Sequence, residues 1–524
     1  MATLFNTLLL GLTLGASAST IQMNIARDPA VHAAQLEANY VRSRLVRRAG
    51  SSTVTESLIN NVTGGLYAAS ITVGTPPQKL TLQIDTGSSD VWVPVAGSDI
   101  CDAPAAEDGG CPGGTFDNTT SSTYKVVGAG EFNISYVDGS GAAGDYFTDM
   151  FGIGGATVKG LEMGLSVDGQ IGQGIMGIGY NTSEANVETG NTTIYANLPN
   201  EMVDEGLINS LAYSLWLNDL SASTGSILFG GIDTDKFTGD LISVDVYPSR
   251  RSKSVVSFTV AFTSLSATSS SGTDQLTADG FATAAILDSG TTLTYLPNEV
   301  AEMVFAELGA QYYTQLDAVV LPCYTGDKNG TINFGFGGTG GPVIKVPIKE
   351  LVLPLTLPSG KAATYTDKVA ACQLGVQAAG DLPILFGDTF LRSAYVVYDL
   401  ANNRIGLAQT DFNATSSNVV SFPSFGAPIP SATTAPNEAA VTQTATDIPK
   451  VGASATASGD SAAPTYNPTA TGLSAASGFT STPTGTSKSK SAGNSIEPFA
   501  WSRVFVGIIT LSMMGVGGGV FAWL

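Results

Sequence analysis

Histidine is nearly absent from this chain of 524 residues, in which His32 is the only one. We expect His32 to be removed from the mature protein with an N-terminal segment. A mature chain without histidine cannot use serine–histidine or cysteine–histidine catalysis, and it cannot bind zinc through imidazole. We predict neither a metal nor a cofactor.

Cysteine is also scarce. The four cysteines fit no CxxC zinc site, and in a secreted chain they indicate two local disulfides, Cys101–Cys111 and Cys323–Cys372. Four cysteines allow three connectivities, so this pairing is one of three.

Basic residues are few: 23 Lys and Arg stand against 44 Asp and Glu, for a formal net charge of −21 and a sequence pI of about 4.3. Nucleic acid is excluded as a partner because its phosphates would be repelled. The acidic charge has two interpretations. It either keeps the protein folded at low pH and attracts basic substrates, or it serves only to keep the protein soluble.

The N-terminus has the pattern of a segment that is cut off. Residues 4–15 are apolar and are followed by Ala16-Ser17-Ala18, so residues 1–18 are interpreted as a signal peptide. Residues 19–48 end in Arg47-Arg48 and are interpreted as a basic propeptide that masks an acidic cleft until it is cleaved. The alternative is a solvated basic arm.

The C-terminus has a different composition. Residues 413–493 are rich in Ser, Thr, Ala, Pro and Gly, which predicts a disordered, O-glycosylated stalk. Residues 494–524 end in an apolar tail and are interpreted as a GPI-attachment signal that is removed, with Ser491, Gly493 or Asn494 as the attachment residue. The alternative is a plain transmembrane helix. We expect a protein anchored at the plasma membrane, or transferred to the cell wall.

Seven N-x-[ST] sequons agree with passage through the secretory pathway. They lie at Asn61, Asn118, Asn133, Asn181, Asn191, Asn329 and Asn413.

Two copies of one short motif carry the chemistry. Residues 84–89 read IDTGSS and residues 287–292 read LDSGTT. Each places an aspartate, Asp85 or Asp288, after an apolar β-prone run and before a hydroxyl residue and a turn-forming glycine. If two similar lobes bring the two carboxylates together, the carboxylates share one proton. One carboxylate can then act as the base and the other as the acid, and the pair can activate a water molecule.

The middle of the chain is predicted to be mostly β. Short β-prone runs are separated by Gly, Asn, Asp and Pro, as at residues 66–73, 80–84, 226–229, 254–262 and 394–398. One helix is predicted over residues 299–308 with Asn298 as its cap, and a weaker one near residues 200–206.

Several segments, in this order, resemble the pepsin-like aspartic proteases. They are VGTPPQ at residues 73–78, IDTGSSDVWVP at 84–94, ISYVDGS at 134–140, GIMGIG at 174–179, LDSGTT at 287–292, ILFGDTFLR at 384–392 and YDLANNRIGL at 398–407. The processing arginines and the GPI-type tail make the chain similar to the fungal yapsin-type branch.

The resemblance implies a mostly β, bilobed fold with a cleft between an N-terminal lobe (residues 49–240) and a C-terminal lobe (241–412). It implies an endopeptidase, acting on polypeptides as a monomer, with Asp85 and Asp288 as the catalytic dyad. It further implies that the two carboxyl groups are held in place by four neighbouring residues, Gly87, Ser88, Gly290 and Thr291.

The resemblance also implies a flap, a hairpin that closes over the substrate. Its residues are expected to be Tyr136, Asp138, Gly139 and Ser140, with Trp92 holding Tyr136. Asp138 either selects basic residues at the cleavage site or is a solvent-facing turn aspartate. The alternative to an enzyme is a catalytically silent, wall-anchored peptide-binding protein.

Overall fold

The computed structural model describes ten ranges of the chain. They are residues 20–27, 58–61, 66–102, 110–188, 194–222, 224–249, 252–314, 316–357, 360–441 and 473–480. The segments predicted to be a signal peptide and a GPI signal lie outside these ranges, as do most of the predicted propeptide, Asn191 and the three candidate attachment residues.

The first half of the chain contributes strands to one large sheet. They are β1 (Ile21–Arg27), β2 (Leu58–Asn61), β3 (Leu66–Val73), β4 (Gln78–Asp85), β5 (Val91–Pro94), β6 (Lys125–Ser135), β7 (Gly141–Ile153), β8 (Ala156–Gly169), β9 (Ile175–Gly177), β10 (Ala212–Trp216), β11 (Thr224–Phe229) and β13 (Phe237–Asp245). Between the last two lies β12 (Gly231–Asp233), which belongs to a separate two-stranded sheet.

The second half forms two further sheets and returns to the first. Its strands are β14 (Thr259–Ser269), β15 (Gly272–Gln275), β16 (Thr283–Leu287), β17 (Thr294–Leu296), β18 (Gln311–Tyr313), β19 (Ala318–Pro322), β20 (Gly330–Phe336), β21 (Val343–Pro347), β22 (Val352–Pro354), β23 (Ala371–Leu374), β24 (Val376–Ala378), β25 (Leu385–Phe386), β26 (Ala394–Asp399), β27 (Arg404–Thr410), β28 (Val419–Ser421) and β29 (Thr433–Thr434).

Within the described ranges the helices are short and few. They are α1 (Asp99–Asp102), α2 (Ala185–Glu188), α3 (Leu198–Asp204), α4 (Asn298–Leu308), α5 (Ile348–Leu351), α6 (Asp388–Leu391) and α7 (Ala476–Thr480). The mostly β, bilobed fold is therefore confirmed. Most buried apolar residues of both lobes belong to one large core, from Tyr67 to Phe479, and three smaller apolar clusters lie outside it.

The large sheet joins the lobes. Its strand order is β29-β13-β27-β26-β10-β11-β1-β2-β3-β4-β9-β5-β8-β7-β6. Two strands from the second half of the chain therefore pair with strands from the first half, β26 with β10 and β27 with β13. Strand β1, which lies in the segment predicted to be a propeptide, lies inside this sheet, antiparallel to β11 and parallel to β2.

Most predicted strands are present. Residues 66–73 are β3, and the runs at 80–84, 226–229 and 394–398 lie within β4, β11 and β26. The run at 254–262 is wrong in its first half, because β14 begins only at Thr259. The predicted helix is present, but Asn298 is its first residue rather than its cap, and its side chain instead accepts a hydrogen bond from the Gly380 N–H (2.8 Å).

The predicted start of the stalk is wrong. Residues 413–441, here named the strap, pack on the catalytic body: β28 pairs with β12, and β29 pairs with β13. Phe422 is fully buried, and Lys236 Nζ donates to the carbonyls of Ala414 and Ser416 (2.9 and 2.8 Å). Most residues of the strap are polar, but a few widely spaced apolar residues bury enough surface to hold it on the folded body.

Both predicted disulfides are present, one linking Cys101 to Cys111 and the other Cys323 to Cys372. The first closes a short loop of the N-terminal lobe, and the second ties the start of a 3₁₀ turn to β23. Across the described ranges, none of the helices combines the length and apolar character needed to cross a bilayer.

Candidate active site

Asp85 is the last residue of β4. Beside it runs the short parallel strand β9, in which Ile84 pairs with Met176 and Asp85 with Gly177. The Ile178 N–H donates to the Asp85 carbonyl (3.0 Å). The apolar pair Ile175-Met176 of β9 therefore supports the backbone of this loop.

Asp288 occupies the equivalent place in the other half of the molecule. It directly follows β16, and the parallel strand β25 runs beside β16 with Leu287 opposite Phe386. The Asp288 N–H donates to the Phe386 carbonyl (3.1 Å). Two loops of the same construction thus present their aspartates from two different sheets.

The two carboxyl groups meet. Both residues are completely buried, and the loop that follows Asp85 lies directly against the carboxyl group of Asp288. Burial raises the pKa of Asp85 well above its usual range, and the charge of Asp288 raises it further. Because a buried pair of carboxyls resists double ionisation, the pair holds one proton at a pH where exposed aspartates have lost theirs.

Backbone and hydroxyl donors orient each carboxyl group. The Gly87 N–H donates to Asp85 Oδ1 and the Gly290 N–H to Asp288 Oδ1, both at 2.8 Å. The Thr291 hydroxyl donates to Asp288 Oδ2 (2.6 Å), and the buried Ser88 side chain lies close enough to Asp85 to lower its pKa. All four support residues predicted from the motifs lie at the carboxyls.

Gly87 is required by a close approach. A Cβ atom at this position would lie 2.6 Å from Asp288 Oδ1. No real side chain tolerates that distance, so the glycine lets one loop lie directly against the carboxyl group of the other.

The middle residues of the two motifs lock the loops together, a role the sequence analysis did not assign. Thr86 Oγ1 accepts from the Ser289 N–H (2.9 Å) and donates to the Leu287 carbonyl (3.1 Å). Reciprocally, Ser289 Oγ accepts from the Thr86 N–H (3.2 Å) and donates to the Ile84 carbonyl (3.0 Å). The signal was present in the sequence, since a hydroxyl residue stands at the same place in both motifs.

The predicted flap is the hairpin formed by β6 and β7. At its tip the Tyr136 N–H donates to the Ser140 carbonyl (2.8 Å), and Gly139 has a positive φ of 83°. Trp92 Nε1 donates to the Tyr136 hydroxyl (2.7 Å). Burial raises the pKa of Tyr136, with a further contribution from Asp85, so its hydroxyl stays protonated beside the dyad.

Asp138 is exposed at the flap turn. Its Oδ1 accepts from the Ser140 N–H (2.9 Å) and from the Ser140 hydroxyl (2.6 Å). These bonds give Asp138 a local turn role. Its charge also contributes to the raised pKa of Tyr136, which shows that the carboxylate lies within electrostatic reach of the flap tyrosine.

Behind the flap lies a buried acidic cluster that sequence reasoning missed. Asp90 Oδ1 accepts from the hydroxyls of Tyr146 (2.9 Å) and Tyr195 (2.8 Å), and Oδ2 accepts from the Ala185 N–H (2.8 Å). Burial raises the pKa of Asp90, and it raises that of nearby Glu184 to about 9. Within the described ranges, no three His, Cys, Asp or Glu side chains are grouped so as to hold a metal ion.

The predicted glycosylation sites are accessible where the structure describes their side chains. Asn133, Asn329 and Asn413 are exposed, and Asn118 and Asn181 are half-buried. Asn61 ends β2, and its side chain lies outside the described part.

Comparison with known proteins places the chain in a family. Residues 66–410 match the model of the eukaryotic aspartyl protease family. The chain is 42% identical to the probable aspartic-type endopeptidase opsB of Aspergillus oryzae, over 79% of this chain and 81% of that protein. It is 37% identical to an acid protease of Saccharomycopsis fibuligera (70% of this chain, 86% of that protein) and 36% identical to secreted aspartic protease 8 of Candida albicans (70% and 80%). The chain belongs to the eukaryotic aspartyl proteases.

Proposed function

We propose that this aspartic endopeptidase hydrolyses peptide bonds with Asp85 and Asp288 as its catalytic dyad and a water molecule as the nucleophile. The observation that carries the proposal is the burial of two carboxyls in equivalent loops that approach each other closely: a Cβ atom on Gly87 would lie 2.6 Å from Asp288 Oδ1. Neither a metal nor a side-chain nucleophile takes part in this reaction.

The proton movements follow from the shared proton. The ionised carboxyl of the pair removes a proton from the water as its oxygen attacks the peptide carbonyl carbon. The protonated carboxyl donates a hydrogen bond to the oxyanion that develops. Transfer of a proton to the amide nitrogen then breaks the C–N bond and releases the amine. No acyl-enzyme forms, so no burst of product should precede the steady state.

The flap completes the site. Because Trp92 donates to the Tyr136 oxygen, the Tyr136 hydroxyl proton points elsewhere and can be offered to a substrate or water in the cleft. The backbone amides of Gly139 and Ser140 lie at the hairpin tip, where an extended peptide would be covered. The hairpin thereby restricts water at the reacting bond.

The dependence of rate on pH follows from the pair. The pKa of Asp85 is raised, so the shared proton is retained well above the usual aspartate range and is lost only as pH rises further. At low pH a second proton removes the base, so kcat/KM should describe a bell on the acidic side of neutral. The profile is measured with one peptide from pH 2 to 8, with circular dichroism at each pH as the control for unfolding. A rate that keeps rising to pH 8 would contradict the mechanism.

We further propose that Asp138 favours Lys or Arg at the cleavage site. Both of its local bonds use Oδ1, and the residue is exposed, so a cationic side chain can approach its other oxygen. An exposed ion pair of this kind contributes up to about 1 kcal/mol, or about fivefold in rate.

A peptide library tests both the activity and this preference. The processed enzyme should cleave at acidic pH, with inhibition by pepstatin, and the ratio of basic to leucine sites should fall about fivefold in Asp138→Asn. The matched control is Asp279→Asn, which removes the same charge at an exposed turn of the other lobe. An unchanged ratio in Asp138→Asn would reduce Asp138 to its turn role, whereas no cleavage at all would favour the silent peptide-binding alternative.

The proposed location is the cell surface. The signal pattern, the accessible sequons and the two disulfides support passage through the secretory pathway, and the Candida relative is described as secreted. We propose GPI attachment at Ser491, Gly493 or Asn494 after removal of residues 1–48 and of the C-terminal tail. The mature protein is proposed to act as a monomer.

A further inference from the structure

A second part of the predicted stalk also packs on the catalytic body. Residues 473–480, here named the latch, end in helix α7 and lie against the C-terminal half of the molecule. Phe479 and Ala475 are completely buried. Phe479 is the only phenylalanine between residues 442 and 490, so one aromatic side chain marks the latch within a small-residue sequence.

The surface that receives Phe479 is shaped for it. A Cβ atom on Gly330, the first residue of β20, would lie 2.4 Å from Phe479 Cε1. Any larger residue at position 330 would therefore displace the ring. At the end of α4, a Cβ atom on Gly309 would lie 3.1 Å from Thr480 Cγ2.

The β14–β15 hairpin holds the latch backbone. Ser271 Oγ donates to the Ser474 carbonyl and Ser269 Oγ to the Ala475 carbonyl, both at 2.7 Å. Asp274 Oδ2 accepts from the Ala475 N–H, also at 2.7 Å. The latch thus combines an aromatic anchor with directional hydrogen bonds, as a specific docking contact does.

Beneath the latch lies Glu307, a buried acid of α4. Its pKa is raised to about 8, first by burial and then by the neighbouring carboxyl group of Asp274. In an acidic environment Glu307 is neutral, so docking of the latch there buries no uncompensated charge.

We propose that the latch divides the stalk and holds the catalytic body close to the surface on which it is anchored. This rests on the proposed GPI attachment near Gly493. With the latch docked, the 13 residues 481–493 connect the body to the anchor, a span of at most about 45 Å. With the latch released, the 52 residues 442–493 do so, with a limit of about 180 Å. The substrates favoured by the docked state are polypeptides displayed near that same surface.

Hydrogen exchange on the full secreted chain tests the docking. In the wild type the amide of Ala475 should exchange on the order of 100-fold more slowly than in Phe479→Ser, the factor expected from burial of one large aromatic ring. Leu473→Ser is the matched control, because Leu473 belongs to the same segment and is 37% exposed. Equally fast exchange in the wild type and in Phe479→Ser would overturn the latch.

A second variant guards against a folding defect in the first. Replacing residues 473–480 by a Gly/Ser sequence of equal length should abolish the docking while cleavage of a soluble peptide stays unchanged. If this replacement instead abolishes cleavage and folding, the segment is part of the structural core and the latch proposal fails.

The distance from the surface at which the anchored enzyme can cleave a peptide is measured on cells that display the enzyme. A peptide displayed far above the surface should be cut by Phe479→Ser and spared by the wild type, whereas a soluble peptide should be cut equally by both. The proposal would be overturned if the wild type and Phe479→Ser cleaved displayed peptides out to the same distance from the surface. Release of the enzyme from cells by a phosphatidylinositol-specific phospholipase tests the GPI anchor separately. If the enzyme is not released, the anchor proposal fails, but the hydrogen-exchange result still decides whether the latch docks.

Discussion

Asp288→Asn is expected to lower kcat/KM for peptide hydrolysis by on the order of 10⁴-fold or more while the protein stays folded. The amide cannot exchange a proton with the water or with Asp85, so the pair loses its acid–base function. The substitution is nearly isosteric. The amide oxygen can still accept from the Gly290 N–H, and the amide NH2 group in the place of Oδ2 can donate to the Thr291 oxygen instead of accepting from its hydroxyl. The measurement is steady-state hydrolysis of one peptide at the pH of maximal rate, together with thermal unfolding.

Asp279→Asn provides the control, because it makes the same chemical change at an exposed residue. It should leave both the rate and the unfolding temperature unchanged. Removal of the Asp288 charge should also lower the pKa of Asp85, because that charge helps to raise it. Substantial hydrolysis by Asp288→Asn would refute the dyad.

Thr86→Val is expected to reduce both stability and activity, although Thr86 touches no reacting atom. Valine has the shape of threonine but leaves the Ser289 N–H and the Leu287 carbonyl without their buried partner. Two unsatisfied backbone groups cost about 2–4 kcal/mol together. Because the crossed bonds align the loops that carry the aspartates, we also expect a loss of about 10- to 100-fold in kcat/KM from misalignment.

Thr86→Ser is the matched comparison, since it keeps the hydroxyl and removes only a methyl group. It should retain most of the stability and rate. Denaturant unfolding and peptide hydrolysis of both variants decide the matter. If Thr86→Val and Thr86→Ser behave alike, the methyl packing rather than the hydrogen bonds holds the loops.

Local patterns in the sequence were sufficient for much of the site. An apolar run before Asp85 predicts a strand, and the glycine after it predicts a turn, because both depend on the residues themselves and their immediate neighbours. The same holds for β3, whose bounds at residues 66–73 were predicted without error, and for α4, whose apolar face repeats at helical spacing.

The reciprocal bonds between Thr86 and Ser289 could not be read from either motif alone. They join atoms about two hundred residues apart in the chain, and their geometry exists only when the two sheets face each other. The same is true of the Asp90 cluster, in which Tyr146 and Tyr195 reach one carboxylate from different elements.

The sequence by itself determined the predicted chemistry, because the chain has almost no histidine and has two aspartate–hydroxyl–glycine turns. It also determined the predicted disulfides, because its cysteines form two pairs that are close enough in the chain to join. Tertiary structure alone decided that residues 413–441 and 473–480 of the predicted stalk pack on the catalytic body. Composition measures the average polarity of a segment, whereas docking depends on whether single side chains such as Phe422 and Phe479 find a complementary cavity on the folded body. That complementarity is a property of a surface assembled from distant residues, so no local pattern encodes it.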